Sequence, residues 1–310
     1  MEILMFEEYV SRNYNHDLVV AIGQFDGIHI AHKELLKITL NSAKTNNYKS
    51  AVITFDPHPD YVLGKDETNK RVMSIEEKAK VLGEIGIDYL IIIRFSKEVS
   101  RVTPKQFIID YLFTIKVKEV VVGSDFVFGK NGSGSGEMIL ELSGMKIKGT
   151  VVPEMRVDDE KIGTCKLKRL LKEGRVKEIK RWLGRNFSVI GIVEQGRQIG
   201  RTIGFPTVNL SLRDDFVDIK KGVYAVYVYH NYKKYQGIAN IGNNPSFNFK
   251  NNLCLETYIF DFKKDIYNEI VTIEFIDFIR EEKKYNSKEE LISQINDDIN
   301  LVKKILNDHI

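Results

Sequence analysis

The first half of the chain carries five short, predominantly apolar runs: Val19 to Ile22, Ala51 to Phe55, Tyr89 to Ile93, Val120 to Val122 and Gly149 to Val152. A strand that shows one face to water alternates polar and apolar residues. Runs without that alternation suit strands buried on both faces of a parallel sheet. Helical patterns lie between them. His32 to Ala43 is one, and Ile75 to Ile85 is another, with Ser74 as its expected cap. Thr103-Pro104 opens a third, a cap followed by proline at the first helical position. This rhythm predicts a doubly wound α/β domain whose site lies beyond the carboxyl ends of the strands.

The pattern then changes. Lys166 to Leu183 reads as a basic amphipathic segment interrupted by Gly174, with Leu167, Leu170, Leu171, Ile179, Trp182 and Leu183 as its apolar members. It is expected to connect the halves with its charges solvated. From Phe187 onward the runs Gly222 to Tyr229, Leu253 to Phe262 and Val271 to Ile279 are β-branched and aromatic with turn signals between them, which predicts a small antiparallel barrel. Ser287 and Glu290 form a capping box ahead of a helix striped by Leu291, Ile295, Ile299, Val302 and Leu306. A length of 310 residues fits two domains, expected at 1–185 and 186–310.

Composition sets limits. A net charge of +3 gives no support for a nucleic-acid partner by field alone. Cys165 and Cys254 cannot build a disulfide framework or a four-ligand zinc site, and they suit a reducing cytoplasm. Met1 to Val10 holds three glutamates and no basic stretch, so no signal peptide is expected. The longest apolar run, Tyr89 to Ile93, is too short to span a bilayer.

The stretch Gly200-Arg201-Thr202-Ile203-Gly204-Phe205-Pro206-Thr207-Val208-Asn209 has a chemistry of its own. Its glycines let backbone approach a phosphate, and Pro206 stiffens the turn. Thr207 and Asn209 offer oxygens at i and i+2, on one side of an extended stretch, suited to a hard cation such as Mg²⁺. A plain loop between strands is the other reading of those residues. The stretch resembles the GRxLGFPTAN signature of riboflavin kinases. Gly222 to Ala225, Asn240 to Phe247, Leu255 to Phe262 and Phe278 to Tyr285 resemble that family's later motifs in the required order, with Ser246 where threonine is usual. The resemblance implies that Glu256 is the general base on the ribityl hydroxyl and that Thr207 and Asn209 hold Mg²⁺. It implies that Gly200, Arg201, Gly204 and Pro206 form a flap over the phosphates, and that Arg280 lies in a loop near the flavin. Read alone, Glu256 is an exposed strand acid, and Arg280 pairs with Glu281 or Glu282.

In the first half, Gly23-Gln24-Phe25-Asp26-Gly27-Ile28-His29-Ile30-Ala31-His32 joins the first apolar run to the first helix. Two histidines three residues apart at a helix N-terminus can face one phosphate, beside backbone N–H donors. A metal reading needs further ligands that no spacing marks. This stretch resembles the GxFDGxHxGH motif of bacterial bifunctional riboflavin kinase/FMN adenylyltransferases. Thr54 to Pro59 and Val121 to Gly129 resemble two more motifs of the same family. The resemblance implies catalytic roles for His29 and His32. It implies nucleotide or substrate contacts for Gly23, Phe25, Asp26, Gly27, Asp56, His58, Gly123 and Asp125, and Asp125 alone also reads as a turn cap. Three departures stand out. Ala31 replaces a glycine, and Lys130 to Gly134 lacks the usual arginine. Ile162 to Lys168 departs from the family's ISSTxIR segment, with Gly163 and Thr164 at its serines, Cys165 at its threonine and Lys168 in place of the arginine fork.

The resemblance therefore implies a nucleotidyltransferase-like α/β domain followed by a riboflavin kinase-like barrel with a C-terminal helix. The expected enzyme uses ATP and Mg²⁺ to convert riboflavin to FMN and FMN to FAD. It is expected in the cytoplasm, as a monomer or weak oligomer with no membrane or nucleic-acid partner. One alternative is a riboflavin kinase whose first half only binds nucleotide or flavin. Another is an unrelated nucleotidyltransferase fused to a binding barrel.

Overall fold

The computed structural model describes residues 1–195, 200, 203–212, 216–243 and 253–308. The chain forms two compact units. The first comprises Met1–Asn69 and Ile75–Gly163, the second Lys70–Ser74 and Thr164–Ile310.

The first unit is built on six parallel strands, β1 (Glu2–Met5), β2 (Leu18–Ile22), β3 (Lys49–Asp56), β4 (Tyr89–Arg94), β5 (Val117–Gly123) and β8 (Lys148–Val152), in the order β1-β4-β3-β2-β5-β8. All five expected runs are strands. Leu18 to Ala21 are fully buried and Ile22 nearly so, because helices cover both faces of a parallel strand. The helix Ile30–Asn46 follows β2, and Ile75–Ile85 precedes β4. Thr103 caps Pro104–Phe107, its hydroxyl accepting the Gln106 N–H at 3.2 Å. β5 begins earlier than its apolar residues suggest, running over buried Glu119, whose carboxylate accepts from Ser42, Lys148 and Thr150. Two short ribbons complete the unit: β6 (Val127–Phe128) with β7 (Gly134–Ser135), and β9 (Arg156–Val157) with β10 (Glu160–Lys161). Strand β1 was not foreseen; it lies at the sheet edge and buries only Leu4.

The second unit is a closed antiparallel barrel of β11 (Phe187–Glu194), β12 (Thr207–Leu212), β13 (Gly222–His230), β14 (Lys233–Asn243), β15 (Leu253–Ile259) and β16 (Ile270–Arg280), in the order β11-β12-β15-β14-β13-β16. Strand β11 alternates buried and half-buried residues along its whole length, the signature of one face turned into the barrel. The C-terminal helix Lys288–Asn307 lays Val302 and Leu306, both fully buried, against the outside of the barrel, with Ile299 beside them. Each such burial contributes about 1.5–3 kcal/mol. Ser287 caps this helix as expected, accepting the Glu290 N–H at 3.1 Å, but Glu290 returns its bond to the N–H of Asn286.

The basic segment expected as a connector is two helices, Thr164–Glu173 and Val176–Leu183, broken at Gly174. Its apolar members Leu167, Leu170, Leu171, Ile179, Trp182 and Leu183 are all buried. The second compact unit takes up the chain from Thr164 onward. Residues 70–74 join it too. Arg71 bridges to Phe216, its carbonyl accepts the Val217 N–H at 2.9 Å, and Lys70 pairs with Asp218. Among the described residues no helix is long and apolar enough to cross a membrane.

Candidate active sites

The motifs of the first half gather at the carboxyl ends of three adjacent strands, β3, β2 and β5. Gly23 leaves β2 with its N–H on the Ile53 carbonyl at 3.1 Å. The chain then turns sharply: Phe25, Gly27 and Ile28 have φ of 48°, 88° and 43°. A left-handed β-branched residue such as Ile28 is a genuine outlier, and such strain persists where surroundings over-determine it. Phe25, Asp26, Gly27 and Ile28 are nonetheless buried. The turn delivers His29 to the N-cap of Ile30–Asn46, where its Nδ1 accepts the His32 N–H at 3.3 Å. The His29 and His32 rings stack at 3.6 Å, tilted by 10°, and Phe25 lies 4.9 Å from His32.

That geometry assigns protonation. Burial pushes His29 down to about 4, against a smaller opposing pull from Asp125. His32 is held well below the ordinary histidine range by burial, then by His29 and Lys78. His32 as a residue is half-buried, yet its Nδ1 is sealed from solvent without a hydrogen-bond partner among the described residues. Both imidazoles are therefore neutral at pH 7. Since His29 Nδ1 is an acceptor, its proton sits on Nε2, which is left as a donor. Among the described residues no three His, Cys, Asp or Glu side chains group to hold a metal ion.

The flanking motifs close in from both sides. The Asp56 carbonyl accepts the Phe95 N–H at 3.0 Å, and His58 caps Pro59–Val62 by accepting the Asp60 N–H at 3.1 Å. Gly123 ends β5, and exposed Asp125 pairs with Lys161 of β10 at 3.0 Å. Lys161 in turn pairs with Glu154 at 3.1 Å. Thr164 and Lys168 sit on the helix Thr164–Glu173 of the second unit.

In the barrel, register does the assembling. Glu194, Asn209, Glu256 and Asn240 are paired residues on β11, β12, β15 and β14 in turn. One residue away runs a parallel row, Val193, Leu210, Leu255 and Ile241, all buried inside the barrel. Period-two alternation therefore puts the polar row on the outer face. Thr207 and Asn209, two apart on β12, share that face, and Asn209 is buried. The flap residues lead into it. The Gly200 carbonyl accepts from both Ile203 and Phe205 N–H groups, and a side chain at Gly200 would collide with the Phe205 carbonyl. Gly204 has φ of 89°, and Pro206 is exposed just before β12. Arg201 and residues 244–247 of the Asn240 motif lie outside the described residues.

Each half of the chain matches a family model of its own. Residues 11–166 match the FAD synthetase family and residues 183–306 the riboflavin kinase family. Bifunctional riboflavin kinase/FMN adenylyltransferases of Listeria monocytogenes and Bacillus subtilis are each 34% identical, with 90% of both chains covered. The Escherichia coli K12 protein of that name is 32% identical over 89% of both chains. The chain belongs to the bifunctional riboflavin kinase/FMN adenylyltransferase family. It is an enzyme carrying both domains of that family, which favours two activities over the kinase alone. A solved structure described as a macrolide-efflux protein from Streptococcus pneumoniae has the same fold, with TM-score 0.88, 29% identity and coverage of 98% of this chain and 99% of its own.

Within this bifunctional kinase/adenylyltransferase chain, two expectations about Arg280 need correction. It is the last residue of β16, not part of a loop, and its ion-pair partner is Asp298 rather than the carboxylate of Glu281 or Glu282. Nε and Nη2 reach the Asp298 carboxylate of the C-terminal helix at 3.0 and 2.8 Å, while Nη1 donates to the Glu281 carbonyl. Neighbours in sequence were the only partners visible before the helix packed. Sequence reasoning also missed Glu194, and it saw Asn240 only as the start of a motif; the strand register brings both beside the site. It missed Lys78, although a signal existed: Lys78 falls on the Ile75, Leu82 and Ile85 stripe of its helix, where an apolar residue belongs.

Proposed function

We propose that the barrel transfers the γ-phosphoryl group of ATP to the ribityl 5′-hydroxyl of riboflavin, and that the first unit joins the resulting FMN to AMP from a second ATP. In the barrel, Glu256 accepts the hydroxyl proton as the oxygen attacks phosphorus and ADP leaves. This is a reaction that depends on positioning and charge stabilisation more than on covalent chemistry. The flap Gly200, Arg201, Gly204 and Pro206 covers the phosphates. The oxygens of Thr207 and Asn209 are hard donors on one strand face, and Mg²⁺ is commonly held by one or two protein oxygens plus substrate phosphates, so the donor set fits. Bound there, Mg²⁺ would neutralise phosphate charge.

In the first unit an FMN phosphate oxygen attacks the α-phosphorus of ATP and pyrophosphate leaves. Neutral His29, with its Nε2 proton, donates a hydrogen bond to phosphate oxygen, and His32 stacks behind it. The N-terminus of the helix Ile30–Asn46 adds backbone donors. Gly23, Phe25, Asp26, Gly27, Asp56, His58, Gly123 and Asp125 shape the nucleotide and flavin pocket. Arg280 serves the flavin end of the barrel site by fixing the end of β16. The reactions run in the cytoplasm, in a monomer or weak oligomer, without a membrane or nucleic-acid partner.

The observation that carries this reading is the placement of Glu256 directly beside Asn209 on one face of the barrel. The test is product analysis by chromatography, with riboflavin, ATP and Mg²⁺ in one reaction and FMN, ATP and Mg²⁺ in another. FAD from both supports two working sites. FMN from the first with nothing from the second would leave a kinase with an inactive first unit.

A further inference from the structure

We infer that Lys78 is a positioning residue for adenylyl transfer: it holds the Gln24 carbonyl and thereby the turn that presents His29 and His32. The inference rests on the histidine site proposed above. Lys78 is 5% exposed, and burying a lysine is costly unless its ammonium is well bonded. Its Nζ donates to the Gln24 carbonyl at 2.7 Å and lies 3.4 Å from Thr54 Oγ1. Thr54 Oγ1 donates to the same carbonyl at 3.1 Å. Two donors, from the helix Ile75–Ile85 and from β3, thus converge on one carbonyl oxygen.

That carbonyl is the last backbone group before the left-handed run at Phe25, Gly27 and Ile28. The run belongs to no strand or helix, and the Gln24 carbonyl anchors its entry on the side of β2. Thr54 alone would satisfy the carbonyl. The added ammonium is more than solvation of Gln24 requires, and it adds a charge-assisted bond at the point of strain. It also stands close enough to His32 to disfavour its protonation, after burial and His29. Lys78 therefore holds the turn in place and adds to the burial that keeps His32 neutral, without touching substrate.

The test compares Lys78→Met, His29→Ala and the double variant in the full chain, reading FAD formation from FMN and ATP, with FMN formation from riboflavin as internal control. Lys78→Met is expected to lower kcat about a hundredfold, as a small misplacement of reacting groups does. KM for ATP should stay within about twofold. The number of ATP sites by titration and the rate of FMN formation should be unchanged. Because Lys78 acts through the histidine turn, the double variant should be no slower than the slower single variant. Normal turnover in Lys78→Met, multiplying losses, or a missing ATP site would each overturn the inference. If Lys78→Met does not fold, Lys78→Gln keeps a neutral polar group without the charge-assisted bond and should slow FAD formation about tenfold; normal turnover there overturns it equally. His29→Ala with normal FAD formation would sink the histidine site itself, and the positioning role with it. A defective His29→Ala beside a normal Lys78→Met would sink only the role of Lys78.

Discussion

Asn209 of β12 and Glu256 of β15 face each other directly across the ladder, and Asn240 of β14 faces Glu256 from the other side. The proposed base therefore sits between two amide side chains, all three held by strands. Residues on strands keep their geometry better than residues on loops, which suits a reaction limited by alignment.

Replacing Glu256 by Gln keeps the shape of the row and removes the proton acceptor. FMN formation is expected to fall about 10²–10⁴-fold with the melting temperature unchanged. The check is a kinase assay on folded protein; near-normal turnover would remove the base assignment.

Asn209→Ala takes away one of two oxygens suggested for Mg²⁺. The Mg²⁺ concentration for half-maximal FMN formation should rise about tenfold, since a buried polar contact of this kind is worth about 1 kcal/mol or more. A titration curve that does not move argues against ligation.

His29→Ala should lower FAD formation about 10²–10³-fold, the usual loss of one preorganised donor, while FMN formation continues. Equal loss of both activities would contradict separate sites.

The same histidine predicts how stability responds to acid. An unfolded histidine titrates near 6.5, about the ordinary value, whereas His29 in the fold titrates at about 4. Above the unfolded value both states are neutral and the contribution is complete. As pH falls from there toward 4, the unfolded chain gains a proton that the native chain refuses, and about 3 kcal/mol of stability drains away. Melting curves across that range should fall more steeply for the natural chain than for His29→Ala; parallel curves would show that His29 is not buried neutral.

Asp298 is 5% exposed on its side chain, and Arg280 is its partner at 2.8 Å. Arg280→Ala leaves that carboxylate uncompensated and should cost about 3 kcal/mol in denaturant unfolding. Asp298→Ala should cost less, because Arg280 reaches solvent. An Arg280→Ala variant with full stability and a raised KM for riboflavin would instead make it a direct flavin contact.

Much of this was legible before the chain folded. The apolar runs around Val20, Ile53 and Ile91 announced buried parallel strands because nothing polar interrupts them. Thr207 and Asn209 announced a shared face because strand period is two. What stayed hidden was pairing at a distance. No local pattern says that Glu256 lands opposite Asn209, that Asp298 reaches Arg280, or that Lys161 reaches Asp125. Only the family likeness singled out Glu256. The apolar stripe of Leu167, Leu170 and Leu171 showed that the segment must bury a face, and not against what. Strand β1 escaped because an edge strand needs only one buried residue, Leu4, to hold its place.

The five residues from Lys70 to Ser74 belong to the barrel unit, although the chain returns afterwards to the first. A single break in the gene, at residue 163 or anywhere later, would therefore strip the barrel of a piece encoded upstream of it. The order of synthesis has the same consequence. Arg71 leaves the ribosome long before Phe216 and Val217 exist to bond it, so the first unit must take shape around a stretch that waits for its partner. These two activities are joined by a chain that crosses between units three times, and they could not be exchanged among relatives as simple end-to-end cassettes.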